Sequence, residues 1–334
     1  MPEGRTLSLP NIGDTRASVL RAVYTEHAAL LKLLAIYFVL GGTALLAMGR
    51  PWPLRLTSYW FAAFWISGSA LWLGWQWLRS PKHLARALVP SRVVGAVLVA
   101  LVIVPAQITF QALKQAMGPV AGWHWDARLA AVDRLLHGGP AWELFAPLVT
   151  SRSWLIAIDG VYMLWFFCLV MLVIWLSWTS RRQLRQRALV SLLLMWALAG
   201  IGLAWVFSSA GPCYYREVVG VEDPSATQLI AQIDAHGWTF ARSNQHGLWD
   251  AYEADRWLAF GGISAFPSLH VGFAVLIAII VWHRSKALGG LCWVYAGVMQ
   301  IGSVALAWHY AIDGYAGALL AWGCWRLAAR VTNR

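Results

Sequence analysis

Eight apolar stretches dominate this chain, each long enough to cross a hydrocarbon layer. They lie at about 28–48, 57–78, 93–113, 154–178, 188–208, 265–282, 288–307 and 310–329. A bilayer core of ~30 Å needs about 20 residues of helix. Inside it each backbone N–H and C=O must be paired within its own segment, so stretches of this kind fold as helices. Only 12% of the 334 residues are charged, about half the share of a soluble domain. The expected fold is all-α: a polytopic membrane helical bundle of about eight transmembrane helices, with an interfacial helix and a structured extracytoplasmic loop.

The formal charge of +11 would suit a nucleic-acid binder, but its distribution argues for a membrane. Arg79, Lys82, Arg86 and Arg92 fall between two apolar stretches, and Arg181, Arg182, Arg185 and Arg187 between two others. Compact basic loops of this kind stay in the cytoplasm, and tryptophans, 23 here, collect at the membrane interfaces. Both termini are then expected inside. The 49–56, 114–153 and 209–264 segments are expected outside, in a bacterial cytoplasmic membrane. The 209–264 segment agrees, with Arg216, Arg242 and Arg256 against seven acidic residues. The expected partners are the lipid bilayer and its lipids, not nucleic acid; no feature sets an oligomeric state. Cys168, Cys213, Cys292 and Cys324 show no ligand spacing and read as small buried hydrophobes. No cleavable signal peptide is evident, no Asp/Glu cluster suggests a metal, and no cofactor is implied.

Two outer segments carry helix signals. In 123–137, Trp125, Leu129, Val132 and Leu136 recur at helical spacing while Asp126, Arg128, Asp133 and Arg134 fall elsewhere, up to Gly138, Gly139 and Pro140. An amphipathic helix in the interface, or one packed on the bundle, has this pattern. Asp223 and Pro224 open a second helix bearing Leu229, Ile230 and Ile233, stopped by Gly237. Residues 246–260, with Leu248, Trp249, Tyr252 and Trp257, suggest a third. A structured segment this long is a candidate lid or acceptor platform.

Ionisable groups at the edges of apolar stretches cost a few kcal/mol and point to function. His270 lies in AFPSLH; His309 and Asp313 lie in HYAID. All three fall at the same expected membrane face. His309 and Asp313 share a face if helix runs through both, which by itself is a common surface pairing. Their apolar flanks raise the cost of leaving either unpaired. Gly261 and Gly262 allow close backbone approach, and Ser268 with Pro267 opens a helix whose free N–H groups favour an anion. Plain capping explains that serine equally well. In SSAGPCYYRE, Tyr214, Tyr215 and Arg216 reach the same side, where Arg216 suits a phosphate and the tyrosines suit an interfacial anchor. A histidine oriented by a carboxylate, with a second histidine beside it, is a parts set for phosphoryl transfer.

AFPSLH followed by HYAID resembles the second and third motifs of the phosphatidic-acid-phosphatase type 2 superfamily. GPCYY makes the likeness closer to its inositol phosphorylceramide synthase-like branch. The recognisable part is residues 205–325, with 123–150 outlying. The resemblance implies that His309 is a nucleophile forming a phosphohistidine, that Asp313 orients it, and that His270 serves as general acid and then base. It divides the chain into N-terminal transmembrane helices, 1–120, and a catalytic phosphatase/phosphotransferase-like membrane domain, 121–334. Two elements are missing: the Lys-x6-Arg-Pro first motif, and the arginine beside the serine of the third, since Val304 follows Ser303. Arg216, Arg242 and His246 are candidate replacements for that phosphate grip. The synthase-like branch shares the absence, which favours transfer of a phospho-head group between lipids. A lipid phosphatase with water as acceptor is the alternative. A proton-relay transporter is a third reading, disfavoured because the ionisable groups keep to one face and no inverted repeat is evident.

Overall fold

The computed structural model describes residues 12–50, 52 and 57–332. The expected cytoplasmic segment 1–11 and most of the 49–56 connection lie outside the described residues. The helices are α1 (Ile12–Ala47), α2 (Thr57–Arg79), α3 (Pro81–Ala87), α4 (Pro90–Ala121), α5 (Asp126–His137), α6 (Ala146–Thr150), α7 (Arg152–Met163) and α8 (Trp165–Trp178). Next come α9 (Arg182–Leu194), which runs through a π-helical turn (Met195–Leu203) into α10 (Ala204–Val206), then α11 (Tyr215–Val219), α12 (Pro224–Ala235), α13 (Phe240–Glu253), α14 (Leu269–Trp282), α15 (Lys286–Ala305) and α16 (Ala311–Thr332). The described residues contain no strand.

Each of the eight expected spans coincides with helix. Five helical stretches among the described residues are long and apolar enough to cross a membrane: Ala17–Ala47, Pro90–Ala121, Arg152–Trp178, Arg182–Val206 and Lys286–Ala305. This is the make-up of a multi-pass membrane protein. The sixth expected span is shorter than its apolar run. Its helix starts at Leu269, where the Ser268 side chain accepts the Val271 N–H at 3.4 Å. The run 265–268 is a capped entry.

α14 sits at the centre. Apolar on every side, it buries residues 271–280 in full, as a helix surrounded by other helices must. It packs against α15, α16 and α8. Leu40, Leu46, Leu71, Leu101 and Leu319 are exposed on the outer helices, the surface a bilayer covers. At one end of the bundle the basic clusters meet: Arg185 pairs with Glu26, Arg181 donates to the His283 carbonyl, and Arg187 lies 3.7 Å from the centre of the Trp325 ring. His270 and His309 lie at the other end.

α5 forms where its pattern predicted, but with a different inner face. Asp126, Leu129, Ala130 and Asp133 are buried, while Val132, Leu135 and Leu136 are exposed. The two acids turn inward because backbone donors await them. Asp126 accepts from Ala210 and Gly211 N–H, both at 2.8 Å, and Asp133 from Ile312 N–H at 3.0 Å. The leucines left outside are the face an interfacial helix gives to lipid. In the long connection, α12 forms as expected, capped by Asp223, with Leu229 and Ile233 buried. The third helix is shifted: α13 starts at Phe240, capped by Thr239, and ends at Glu253, leaving Trp257 beyond it. The reason lies across the bundle, where Asp159 of α7 accepts the first N–H groups of α13, from Phe240 at 2.6 Å and Ala241 at 3.0 Å.

Candidate active site

Two helix ends build the site. The entry to α14 is tied to the start of α16 by the Ser268 N–H, which donates to the Asp313 carbonyl at 2.9 Å. The helices come this close because a glycine lies at the crossing. A Cβ on Gly317 would stand 2.2 Å from the Ser268 carbonyl oxygen. The turn from α15 to α16 is equally fixed: Trp308 and His309 N–H both donate to the Ser303 carbonyl at 3.0 Å, and Ala307 takes a positive φ of 59°. Gly211 packs behind this turn with φ 99°, where a Cβ would lie 2.6 Å from the Trp308 carbonyl oxygen.

This framework brings His270, His309 and Asp313 together. The imidazole centres of His270 and His309 are 5.8 Å apart. Asp313 Oδ2 lies 3.4 Å from His309 Nδ1. That is a close approach and not a formed hydrogen bond, as is common before substrate tightens a site. The same Oδ2 accepts the Tyr310 N–H at 3.0 Å. Asp313 is fully buried and His309 nearly so. His309 lies in the turn outside both helices. Burial, and then the nearby Lys114 charge, push its imidazole down to about 3, a drop the Ala265 carbonyl partly offsets. His270 is held between rings, 4.6 Å from Trp165 and 5.2 Å from Tyr162.

Lys114 is the residue sequence reasoning passed over. It sits in the last third of α4, and its charge acts on His309. Among the described residues its ammonium has no carboxylate partner. A lone lysine one residue past an apolar stretch is itself a signal. Asp126 was missed as well. Besides its two backbone partners it accepts from the Tyr310 hydroxyl at 3.2 Å, so it clamps the 208–211 segment to the residue beside His309. Burial pushes its carboxyl up, and the backbone donors pull it part of the way back. Asp133, near His137 Nδ1 at 3.6 Å, fixes the start of α16.

The other candidates are packed, paired or exposed. Ser268 is buried and caps α14. The Tyr214 hydroxyl donates to the Gln245 carbonyl at 2.8 Å, and its ring stacks on Trp249. Tyr215 is buried beside Leu129 and Tyr310. Arg216 is exposed, 3.5 Å from Glu222. Arg242 grips Asp234 with two nitrogens, at 2.7 and 3.1 Å, and donates to Gln245 Oε1 at 2.9 Å. His246 is exposed. The geometry therefore joins His270, His309 and Asp313, and the Lys114 charge reaches His309. The four cysteines are free, and the described residues include no group of three or more His, Cys, Asp or Glu side chains placed to hold a metal ion.

A comparison with protein families matches residues 127–327 to the PAP2 superfamily, a span that holds both histidines, Asp313 and the whole of the long connection. No curated protein and no solved structure matches the chain. The helical membrane architecture, the paired histidines and the family match agree: the chain belongs to the PAP2 superfamily, whose members are typically phosphatases and phosphotransferases.

Proposed function

We propose that this protein is a membrane lipid phosphotransferase, moving a phospho-head group from one lipid to another at the extracytoplasmic face. The observation that carries the reading is the placement of His309 between a buried carboxylate and a second imidazole, with a lysine charge acting on it. Asp313 sets the tautomer by receiving Nδ1–H, leaving Nε2 as the nucleophile. The donor phosphoryl group rests against Lys114. His309 Nε2 attacks phosphorus, the bond from phosphorus to the lipid oxygen breaks, and His270 gives its proton to that oxygen. The acceptor hydroxyl then attacks the phosphohistidine, the P–N bond breaks, and His270 takes the hydroxyl proton.

The preference for a lipid acceptor over water rests on enclosure. His309 is 4% exposed, and the 209–264 connection folds against the bundle beside it. A site that excludes water favours an alcohol over hydrolysis. The likeness of GPCYY to the inositol phosphorylceramide synthase-like branch points the same way. The basic clusters at the opposite end of the bundle support the extracytoplasmic placement. Reporter fusions test it: fusions at residues 84 and 184 are expected to read cytoplasmic and one at 235 outside. A cytoplasmic signal at 235 removes the placement. The chemistry is tested by acid-labile radiolabel on the wild-type enzyme, absent from His309→Ala.

A further inference from the structure

A cavity of about 400 Å³ opens beside Lys114. Its walls come from the end of α4, the connection after α1, and residues 248–263. Much of it lies outside the family match: Arg50, Trp52, Lys114, Gln115 and Trp123 all precede residue 127. Two glycines shape it. A Cβ on Gly262, at φ 96°, would stand 3.0 Å from Lys114 Cγ, and one on Gly118 would stand 2.6 Å from the Trp123 ring.

The chemistry of the wall is one-sided. Gln115 is spent on Leu258, accepting its N–H at 3.0 Å and donating to its carbonyl at 3.0 Å. Asp255 meets Arg50 through one oxygen, at 2.7 Å. Among the described residues the other polar side chains of the wall are mainly donors: the Lys114 ammonium, the Arg256 guanidinium at the exposed rim and the indole N–H groups of Trp52, Trp123 and Trp257, beside the Tyr252 hydroxyl, which can donate or accept. The Trp123 and Trp257 N–H groups are buried with no hydrogen-bond partner among the described residues. An unpaired buried donor costs about 1–3 kcal/mol, so the two indoles, with the Lys114 and Arg256 charges on the same cavity, call for acceptors on the ligand.

We propose that this cavity is the head-group subsite of the lipid phosphotransferase argued above, and that it selects a head group carrying a second acceptor-only anionic group, phosphoryl or carboxylate, beyond the phosphate at Lys114. A trimethylammonium head would meet aromatic faces there, but also two positive charges with the nearby carboxylate already paired. A polyol head would bring only neutral hydroxyls and leave the Arg256 charge without a counter-charge. The proposal rests on the phosphotransferase reading for the position of the transferred phosphate.

Equilibrium binding tests it without turnover. Full-length His309→Ala protein in detergent is titrated with four lipids of matched acyl chains, bearing diphosphate, phosphate plus carboxylate, phosphocholine and phosphoinositol heads, and tryptophan fluorescence is followed. Either doubly anionic head is expected to bind about tenfold tighter than phosphocholine, the size of one charge-assisted contact. Arg256→Gln should erase most of that preference, and Trp123→Phe, which keeps a ring and removes the N–H, should reduce it about threefold. The diphosphate and carboxylate arms tell which anion is preferred. Phosphocholine or phosphoinositol binding as tightly as the anionic heads, or an Arg256→Gln variant that keeps the full preference, overturns the proposal. Failure of the phosphotransferase reading shows separately, as wild-type enzyme that never acquires acid-labile label.

Discussion

One oxygen of Asp313 serves two neighbours: Oδ2 accepts the Tyr310 N–H at 3.0 Å and stands 3.4 Å from His309 Nδ1. The carboxylate is fixed by its own backbone before it meets the imidazole. Asp313→Asn keeps an oxygen for Tyr310 and loses the charge that holds the histidine. Its thermal inactivation temperature in detergent should stay near the wild-type value, while turnover falls by about 10²–10⁴-fold. A variant that melts early and loses activity in proportion would mean that Asp313 is only structural.

His270 should be separable from His309 by leaving group. His270→Ala should slow transfer from an ordinary lipid by ~10²–10⁴-fold. A donor with an acidic aryl leaving group needs no proton and should recover most of that rate. His309→Ala should recover none with either donor. Equal losses on both donors in His270→Ala would remove its role as general acid.

The pH dependence carries a sign. The folded value of His309 is about 3, against an ordinary imidazole value of about 6.5. The folded ring therefore stays neutral, and able to attack, well below pH 6. In His270→Ala, where His309 is the remaining imidazole of the pair, kcat/KM should show no acid limb near 6.5. Stability moves the other way. The unfolded chain takes up a proton as pH falls through about 6.5 while the folded ring does not, so this contribution is intact above that value and declines toward pH 3. An acid limb centred near 6.5 in that variant contradicts the buried, neutral nucleophile.

Asp126 should matter for the shape of the site. Asp126→Ala leaves the Ala210 and Gly211 N–H groups unpaired and frees the Tyr310 hydroxyl. Each unpaired buried donor costs about 1–3 kcal/mol. A clear fall in thermal stability should come with a loss of turnover, and Asp126→Asn should recover part of both. Wild-type stability in Asp126→Ala would show that the clamp contributes little.

Much of this was legible in the sequence because bilayer helices declare themselves by length and apolarity. His270, His309 and Asp313 stood out as ionisable groups at the edges of such runs, and their meeting at one end of the bundle followed from counting spans. What escaped was set by tertiary partners. Asp126 and Asp133 look like the wet side of α5, yet they face inward because N–H groups from residues 84 and 179 positions away need acceptors. Arg242 looks like a free cation in the chain and is held by Asp234 in the fold. Lys114 looks like the polar end of a span. Only the packing of α4 against the 248–263 segment sets it on the cavity wall, with its charge reaching His309.

The most direct test of the central claim follows the fate of the phosphoryl group in the intact enzyme. Donor lipid carrying radiolabelled phosphorus is mixed with enzyme and a panel of hydroxyl-bearing acceptor lipids, and labelled lipid product and free inorganic phosphate are counted together. The account predicts label in a new lipid as the main product with at least one acceptor, and a larger share of free phosphate when residues 223–260 are shortened. Free phosphate, or a free phosphorylated head group, as the sole labelled product with every acceptor contradicts the transferase reading and leaves a lipid phosphatase in its place.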